Sequence, residues 1–137
     1  MNAERPLTAA HLRYLLVMRR LAEGAGEGAT GEGPGVRSVS MARALGLRKS
    51  TVHAMLVSLQ AMGLVRKSNY GSAFFTPQGR ALADRYHRYF QAVRGMLEAR
   101  FPRCPALDDA ACALLAALPP ESLERFCAGP PIPKGEL

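Results

Sequence analysis

Gly46 constrains the fold more than any other residue, because it separates two short segments that both carry the signals of a helix. Residues 38–45 read as a short helix, and glycine suits the left-handed position that ends one. A second helix is predicted from Ser50, as its capping residue, to about Met62. Its apolar residues recur on one face, at Val52, Met55, Leu56, Leu59 and Met62. Two short helices joined through a tight glycine-containing turn are typical of a helix-turn-helix unit.

A two-stranded hairpin is predicted directly after this unit. Residues 64–67 favour a strand, residues 68–72 a turn and residues 73–76 a return strand, which together form a wing over residues 64–76. Thr76 followed by Pro77 is a strong start signal for the next helix, predicted over residues 78–100. This order of elements is that of a winged helix-turn-helix.

The chain before Gly46 contributes one helix and one unusual segment. Residues 8–22 show helical spacing of leucines, with Thr8 as the expected cap. Residues 24–35 then carry a glycine at nearly every second position, which predicts a flexible loop. This segment lacks the Gly-Lys-Ser/Thr of a phosphate-binding loop and the βαβ setting of a dinucleotide-binding fingerprint.

The last third of the chain reads as helices with a wide apolar surface. After the long linker helix, Asp108 or Asp109 is expected to cap a helix over residues 110–118, and a short helix follows to Phe126. The fold class is therefore mainly α (α+β), with a DNA-binding domain at 1–79, a linker helix and dimerisation region at 80–127 and an extended tail at 128–137. The apolar surface exceeds what so few helices can bury alone, so we expect a homodimer through Tyr89, Val93, Leu97, Leu114, Leu115, Leu118 and Phe126.

Charge is distributed unevenly along the chain. The net charge is +7, and no acidic residue lies between Glu32 and Asp84. A segment that excludes carboxylates and collects cations suits a polyanion, here double-stranded DNA. The second helix of the unit would enter the major groove, with Arg48 and Thr51 influencing base preference and Lys67 gripping the backbone. The full set of expected DNA contacts is Arg37, Arg48, Lys49, Ser50, Thr51, His53, Arg66, Lys67, Asn69 and Tyr70.

Several function classes find little support in the sequence. No nucleophile–base–orienter set is visible, so we expect no enzyme. The three cysteines lack a C-x-x-C spacing, which disfavours a disulfide framework or a structural zinc site. Without a signal peptide or a membrane-length apolar run, we expect a cytoplasmic protein with no cofactor and no membrane partner.

Two motifs carry a family resemblance. The run from Leu56 to Arg66, with its Met-Gly-Leu-Val-Arg end, and the run from Phe75 to Ala83, with its Thr-Pro-Gln-Gly start, resemble the diphtheria toxin repressor and manganese transport regulator (iron-dependent repressor) family. Over residues 8–127, the long linker helix and two short helices match its compact members. The resemblance implies a repressor that dimerises through its C-terminal helices and binds a palindromic operator.

This chain departs from that family at the metal site. Most of the side chains at the family's ligand positions have no carboxylate or imidazole group to bind a hard cation. These residues are Arg13, Leu16, Phe90, Cys112, Leu115 and Ala116. We therefore expect that manganese and iron do not control this protein. The guanidinium of Arg13 could occupy the vacated space and lock the linker helix to the DNA-binding domain.

Two alternatives stay open from the sequence. One is a regulator of the multiple-antibiotic-resistance type, controlled by a small-molecule effector that the sequence does not identify. The other is a winged-helix module that binds protein rather than DNA.

Overall fold

A computed structural model describes residues 7–24, 35–68 and 71–129. The elements are six helices and three short strands in these ranges: α1 (Ala9–Gly24), β1 (Val36–Arg37), α2 (Ser38–Leu45), α3 (Lys49–Ala61), β2 (Val65–Lys67), β3 (Ser72–Phe75), α4 (Pro77–Arg100), α5 (Leu107–Ala117) and α6 (Pro120–Ala128). The mainly helical winged helix-turn-helix predicted from the sequence is confirmed. Helix α6 extends to Ala128, the first residue of the predicted tail at 128–137. Asn69, Tyr70, the part of that tail beyond Gly129 and all but the ends of the glycine-rich segment lie outside the described residues.

A first apolar core holds α1, α2, α3 and the sheet together. Leu15 and Met18 of α1, Met41 of α2 and Leu56 of α3 are all completely buried in it. Thr8 caps α1 as predicted, because its Oγ1 accepts a hydrogen bond from the backbone N–H of His11 at 3.1 Å.

The sheet contains a strand that the sequence did not predict. Val36 and Arg37 form β1, which pairs antiparallel with β3 and gives the strand order β1-β3-β2. Val36 lies opposite Ala73, and both side chains are buried. A two-residue strand is too short to show any periodicity, and its partner lies far along the chain, so only the tertiary fold identifies it.

The start of α4 is fixed against the backbone of the wing. The Oγ1 of Thr76 accepts a hydrogen bond from the N–H of Gly79 at 3.0 Å and donates one to the carbonyl of Gly63 at 2.7 Å. Gly79 packs so closely that a Cβ built on it would lie 1.8 Å from the carbonyl oxygen of Leu64. The predicted cap at Thr76 is confirmed, and the close contact explains why a glycine stands within the first turn of α4.

A second apolar core joins α4, α5 and α6 to α1. Tyr89 and Val93 of α4, Leu115 of α5 and Leu123 of α6 pack in it together with Leu12 of α1. Helix α1 therefore contributes to both cores. The predicted domain boundary at residues 79 and 80 falls within the first turn of α4, which runs on without a break.

The position of this core corrects part of the expected dimer interface. Tyr89, Val93 and Leu115 are only 1%, 2% and 1% exposed within a single chain, so they are not available to a second copy. Leu97 and Leu114 are partly buried against the same core. The expectation failed because α5 and α6 fold back onto α4 and cover its apolar face, leaving Leu118 and Phe126 exposed.

Two predicted helix caps are also wrong. Helix α3 begins at Lys49 with Arg48 in the capping position, so Ser50 lies inside the first turn and does not cap it. Helix α5 begins at Leu107, after Ala106, which has a left-handed backbone (φ 58°). Its first-turn carboxylates Asp108 and Asp109 bind arginines instead, and acidic groups there also interact favourably with the helix dipole.

A polar cluster fastens α6 to α4 at the edge of the second core. The hydroxyl of Tyr89 donates to Glu124 Oε2 at 2.5 Å, and Arg88 donates to both oxygens of the same carboxylate, at 3.0 and 3.1 Å. The hydrogen bond from Tyr89, followed by the interactions with Arg88, lowers the pKa of Glu124. Burial and this hydrogen bond raise the pKa of Tyr89 to about 12.

The contact at Gly79 predicts opposite effects for two glycines of the same helix. Gly79→Ala should lower the free energy of unfolding by about 3 kcal/mol, because α4 must move away from Leu64 to admit the methyl group. Gly95→Ala is the matched control: a Cβ at Gly95 meets nothing within 4 Å, so alanine should stabilise the protein by up to about 1 kcal/mol. Chemical denaturation of both variants measures the effects, and equal stabilities would contradict the proposed packing.

The Glu124 cluster predicts a stability contribution that depends on pH. Because folding lowers the pKa of Glu124, its contribution is present above the unfolded pKa and is lost as the pH falls through the folded pKa. Glu124→Gln should therefore lower the melting temperature at pH 7, and the difference from the parent chain should shrink towards about pH 3. Melting curves followed by circular dichroism test this, with exposed Glu121→Gln as the control. A pH-independent difference would show that the charge of Glu124 is not what stabilises the cluster.

Candidate nucleic-acid interface

The turn between α2 and α3 sets the geometry of the candidate interface. Gly46 adopts a left-handed backbone (φ 67°), as the sequence predicted. Its N–H donates to the carbonyl of Arg43, and the N–H of Leu47 donates to the carbonyl of Ala42. These bonds close the end of α2 and direct the chain into α3, whose residues Val52, Leu56 and Leu59 face the core.

The predicted contacts at the start of α3 lie together on the surface. Arg48, Lys49, Ser50, Thr51 and His53 are all exposed. The surrounding stretch, residues 33–83, contains no aspartate or glutamate, so its arginines and lysines have no acidic neighbour within that stretch. The beginning of α3 therefore presents donors and positive charge outward, as contact with phosphates and base edges requires.

The wing is linked to α3 through a side-chain contact. The ammonium of Lys67, at the end of β2, lies 2.7 Å from Nδ1 of His53. An ammonium can only donate, so His53 accepts through an unprotonated Nδ1 in this arrangement. Arg66, the preceding residue, lies over the ring of Phe74 with 5.6 Å between guanidinium carbon and ring centroid. Both predicted wing cations thus have defined positions, and Lys67 is drawn towards the helix rather than extended from the wing.

Arg37 lies on β1, the strand that pairs with the wing strand β3, and not on α3. It is an exposed residue of β1 and occupies the capping position of α2, next to β3. The neighbouring Ser38 hydroxyl donates to the carbonyl of Gly71 at 3.3 Å, which ties the start of α2 to the wing turn. Arg37 therefore belongs with the wing side of the surface.

Sequence reasoning missed two residues on the outer side of α3. Ala54 is exposed and Val57 is 48% exposed, although both stand in an apolar-looking helix. They lie opposite the buried face of the helix, and a helical-wheel reading of residues 49–61 would have identified them.

Four of the six residues that fall at the family's metal-ligand positions line one cavity. Arg13, Leu16, Phe90 and Cys112 line a cavity of about 210 Å³ between α1, α4 and α5, to which α2 contributes Ala44. Leu115 is buried in the second core and Ala116 is exposed on α5, and neither lines it. Burial raises the pKa of the Cys112 thiol to about 11, which keeps the sulfur protonated and a poor metal ligand at neutral pH.

Arg13, one of the residues that line this cavity, binds a different helix from the one expected. Arg13 Nη1 lies 2.7 Å from Asp109 Oδ1, so it connects α1 with α5 rather than with the linker helix α4. The neighbouring Asp108 binds Nε of Arg94 at 2.6 Å. In the described ranges, no three His, Cys, Asp or Glu side chains are grouped as a metal ion would require.

Comparison with known proteins supports a winged-helix DNA-binding transcriptional regulator. Residues 12–68 match the IclR helix-turn-helix domain family, a match that includes most of α1 and all of β1, α2, α3 and β2 but less than half of the chain. No curated protein matches the sequence. Within the described ranges, no helix is long and apolar enough to cross a membrane.

The solved structures that share the fold include two proteins from Sulfolobus solfataricus and T. acidophilum. The hypothetical protein SSo2273 from Sulfolobus solfataricus has a TM-score of 0.56 and 19% identity, over 88% of this chain and 86% of that one. T. acidophilum IdeR also has a TM-score of 0.56 and 19% identity, over 84% of this chain but only 51% of that one. At such identity the likeness shows the fold alone, so the resemblance to the diphtheria toxin repressor family in particular stays a prediction.

The geometry predicts different effects for Arg48 and Lys67. Arg48→Ala should reduce discrimination among duplexes, because Arg48 precedes the helix that would enter the groove. Lys67→Ala should lower the affinity for all duplexes by the same factor and reduce the steepness of log affinity against log salt by about one. Arg100→Ala, which removes an exposed charge at the far end of α4, is the control. Fluorescence anisotropy over a duplex library measures both effects, and identical affinity changes for the two variants would contradict the assignment.

Proposed function

We propose that this protein is a sequence-specific transcriptional regulator, a repressor that binds a palindromic operator as a homodimer in the cytoplasm. The observation that carries the proposal is the exposed, carboxylate-free start of α3 beside the wing, within the segment that matches a helix-turn-helix domain. In this mode of binding, the start of α3 enters the major groove and the wing follows the adjacent backbone. Arg48, Ser50 and Thr51 would face base edges, and Lys49, Arg66 and Lys67 would contact phosphates.

A palindromic operator requires a second copy related by twofold symmetry. The C-terminal end of the molecule offers apolar side chains that are exposed among the described residues, at Phe101, Leu118 and Phe126. We propose that the dimer forms through this end of the molecule, which leaves α3 free. The repressor role follows from the resemblance to the diphtheria toxin repressor family, and a dimer bound across a promoter would block access to it.

We further propose that manganese and iron do not regulate the protein. Asp108 and Asp109 are the carboxylates nearest to Cys112 in the sequence, and each already binds an arginine. A divalent cation there would have to displace Arg94 and Arg13 and would also face their positive charges. Leu16 and Phe90, which stand at two of the family's ligand positions, supply no ligand atoms, so a cation would gain fewer bonds in exchange than the family's ligand set offers.

A small-molecule effector is the second candidate for regulation. The cavity of about 210 Å³ lies between α1 and α2 on one side and α4 and α5 on the other. Its lining combines apolar side chains such as Leu16, Val17 and Phe90 with arginines. The volume is below the roughly 300–1,000 Å³ of sites for drug-sized ligands, so this candidate requires a smaller molecule. A ligand there would touch both the helix-turn-helix unit and the C-terminal helices.

One experiment tests the function together with metal independence. Genomic fragments are selected for binding to the chain after chelator treatment, and the recovered duplex is titrated at several salt concentrations. We expect a palindromic motif, two chains per duplex by sedimentation and a steep loss of affinity with salt, since several phosphates are neutralised. Adding manganese or ferrous iron should leave the affinity unchanged.

Three results would contradict parts of the proposal. Recovery of no enriched sequence, or affinity that hardly changes with salt, would favour a protein-binding module. One chain per duplex would exclude the dimer. Binding that requires manganese or iron would overturn metal independence while leaving the DNA-binding function intact.

A further inference from the structure

The outer side of α3 carries aliphatic side chains at its centre. Val57 is 48% exposed, and Ala54, three residues before it, is exposed as well. With 3.6 residues per turn, both lie opposite Val52 and Leu56, which are completely buried. These two aliphatic side chains therefore do not pack in the core.

The surroundings of Val57 indicate the chemistry of a partner. Exposed polar residues flank it on the same helix, with Ser50 and His53 before it and Gln60 after it. No carboxylate occurs anywhere in residues 33–83, which include the whole helix and the wing. A partner that fits this surface carries negative charge and, at the point beneath Val57, an apolar group.

The major groove of DNA meets both requirements. Its phosphates supply the charge, and the C5-methyl group of thymine is the apolar group that base pairs present there. Protein-binding surfaces rely on larger anchors such as Tyr, Trp and Phe at their centre, and helix α3 contains none of these three residue types. DNA is therefore the occupant that the surface favours.

We propose that Val57 and Ala54 read thymine methyl groups in the major groove and direct the middle of α3 towards thymine-containing sites. The side chain of Val57 covers the methyl group, and the small side chain of Ala54 lets the helix approach the base edges. This inference rests on the proposed DNA-binding function and names the base feature that it would recognise.

The test removes thymine methyl groups one at a time. In the duplex recovered by selection, each dT is replaced singly by dU, which deletes the methyl group and leaves the hydrogen-bonding edges unchanged. We expect at least one position in each half-site where affinity falls about fourfold, the effect of leaving one such group unburied. Val57→Ala should lose the sensitivity at that position, because its side chain no longer reaches the methyl group.

Two further variants complete the design. Val39→Ala is the matched control, since Val39 is 40% exposed on α2 and the chemical change is the same; it should keep the full dU sensitivity. Ala54→Leu retains a good helix former but holds α3 away from the groove. This variant should bind the selected duplex about tenfold more weakly or worse, the scale of a steric overlap. Its circular dichroism spectrum should be unchanged.

The outcomes separate this inference from the function on which it rests. Tight, salt-dependent binding with no response to any dT→dU replacement would overturn the inference and leave the function standing. The same holds if Val57→Ala keeps the parent's dU sensitivity, or if Ala54→Leu binds as well as the parent. Failure to enrich any duplex would overturn both.

Discussion

The contact between the first turn of α4 and the backbone at Leu64 determines how the two ends of this molecule meet. Gly79 allows the helix to approach the carbonyl of Leu64 more closely than any other residue could. Thr76 holds the same point by accepting from Gly79 and donating to Gly63. Because α4 carries Tyr86, Tyr89 and Val93 into the second core, its starting position also sets where α5 and α6 can pack.

Helix α1 completes the connection between the two cores. Leu12 packs with α4, α5 and α6, whereas Leu15 and Met18 pack with the helix-turn-helix unit. Ion pairs accompany this packing, among them Arg13–Asp109 and Arg19–Asp84. Exposed pairs of this kind stabilise a protein by at most about 1 kcal/mol. The buried leucines of α1 therefore hold the helix-turn-helix unit and the C-terminal helices together, and the ion pairs mainly fix how α1 is aligned against α4 and α5.

The candidate interface consists of helix α3 and the wing. The start of α3 offers positive charge and hydroxyl donors, and its middle offers the methyl groups of Ala54 and Val57. Val65 of the wing is buried in the same core as Leu56 of α3, so the spacing of the two elements is set before any partner binds. Pre-positioned groups lose less conformational freedom on binding, which favours affinity.

By itself, the sequence determined those features that depend on local backbone chemistry. Gly46 adopts the left-handed turn, Thr76 and Pro77 start α4, and the carboxylate-free stretch marks the positively charged side. Each follows from one residue's conformational preference or from charge, which neighbours distant in the chain cannot change.

The tertiary structure decided everything that depends on which surfaces meet. Apolar spacing shows that Tyr89, Val93 and Leu115 are buried but not against what, and the same holds for the pairing of Val36 with Ala73. Asp108 and Asp109 could cap a helix or bind arginines, and only the position of Arg94 and Arg13 in space selects the second role.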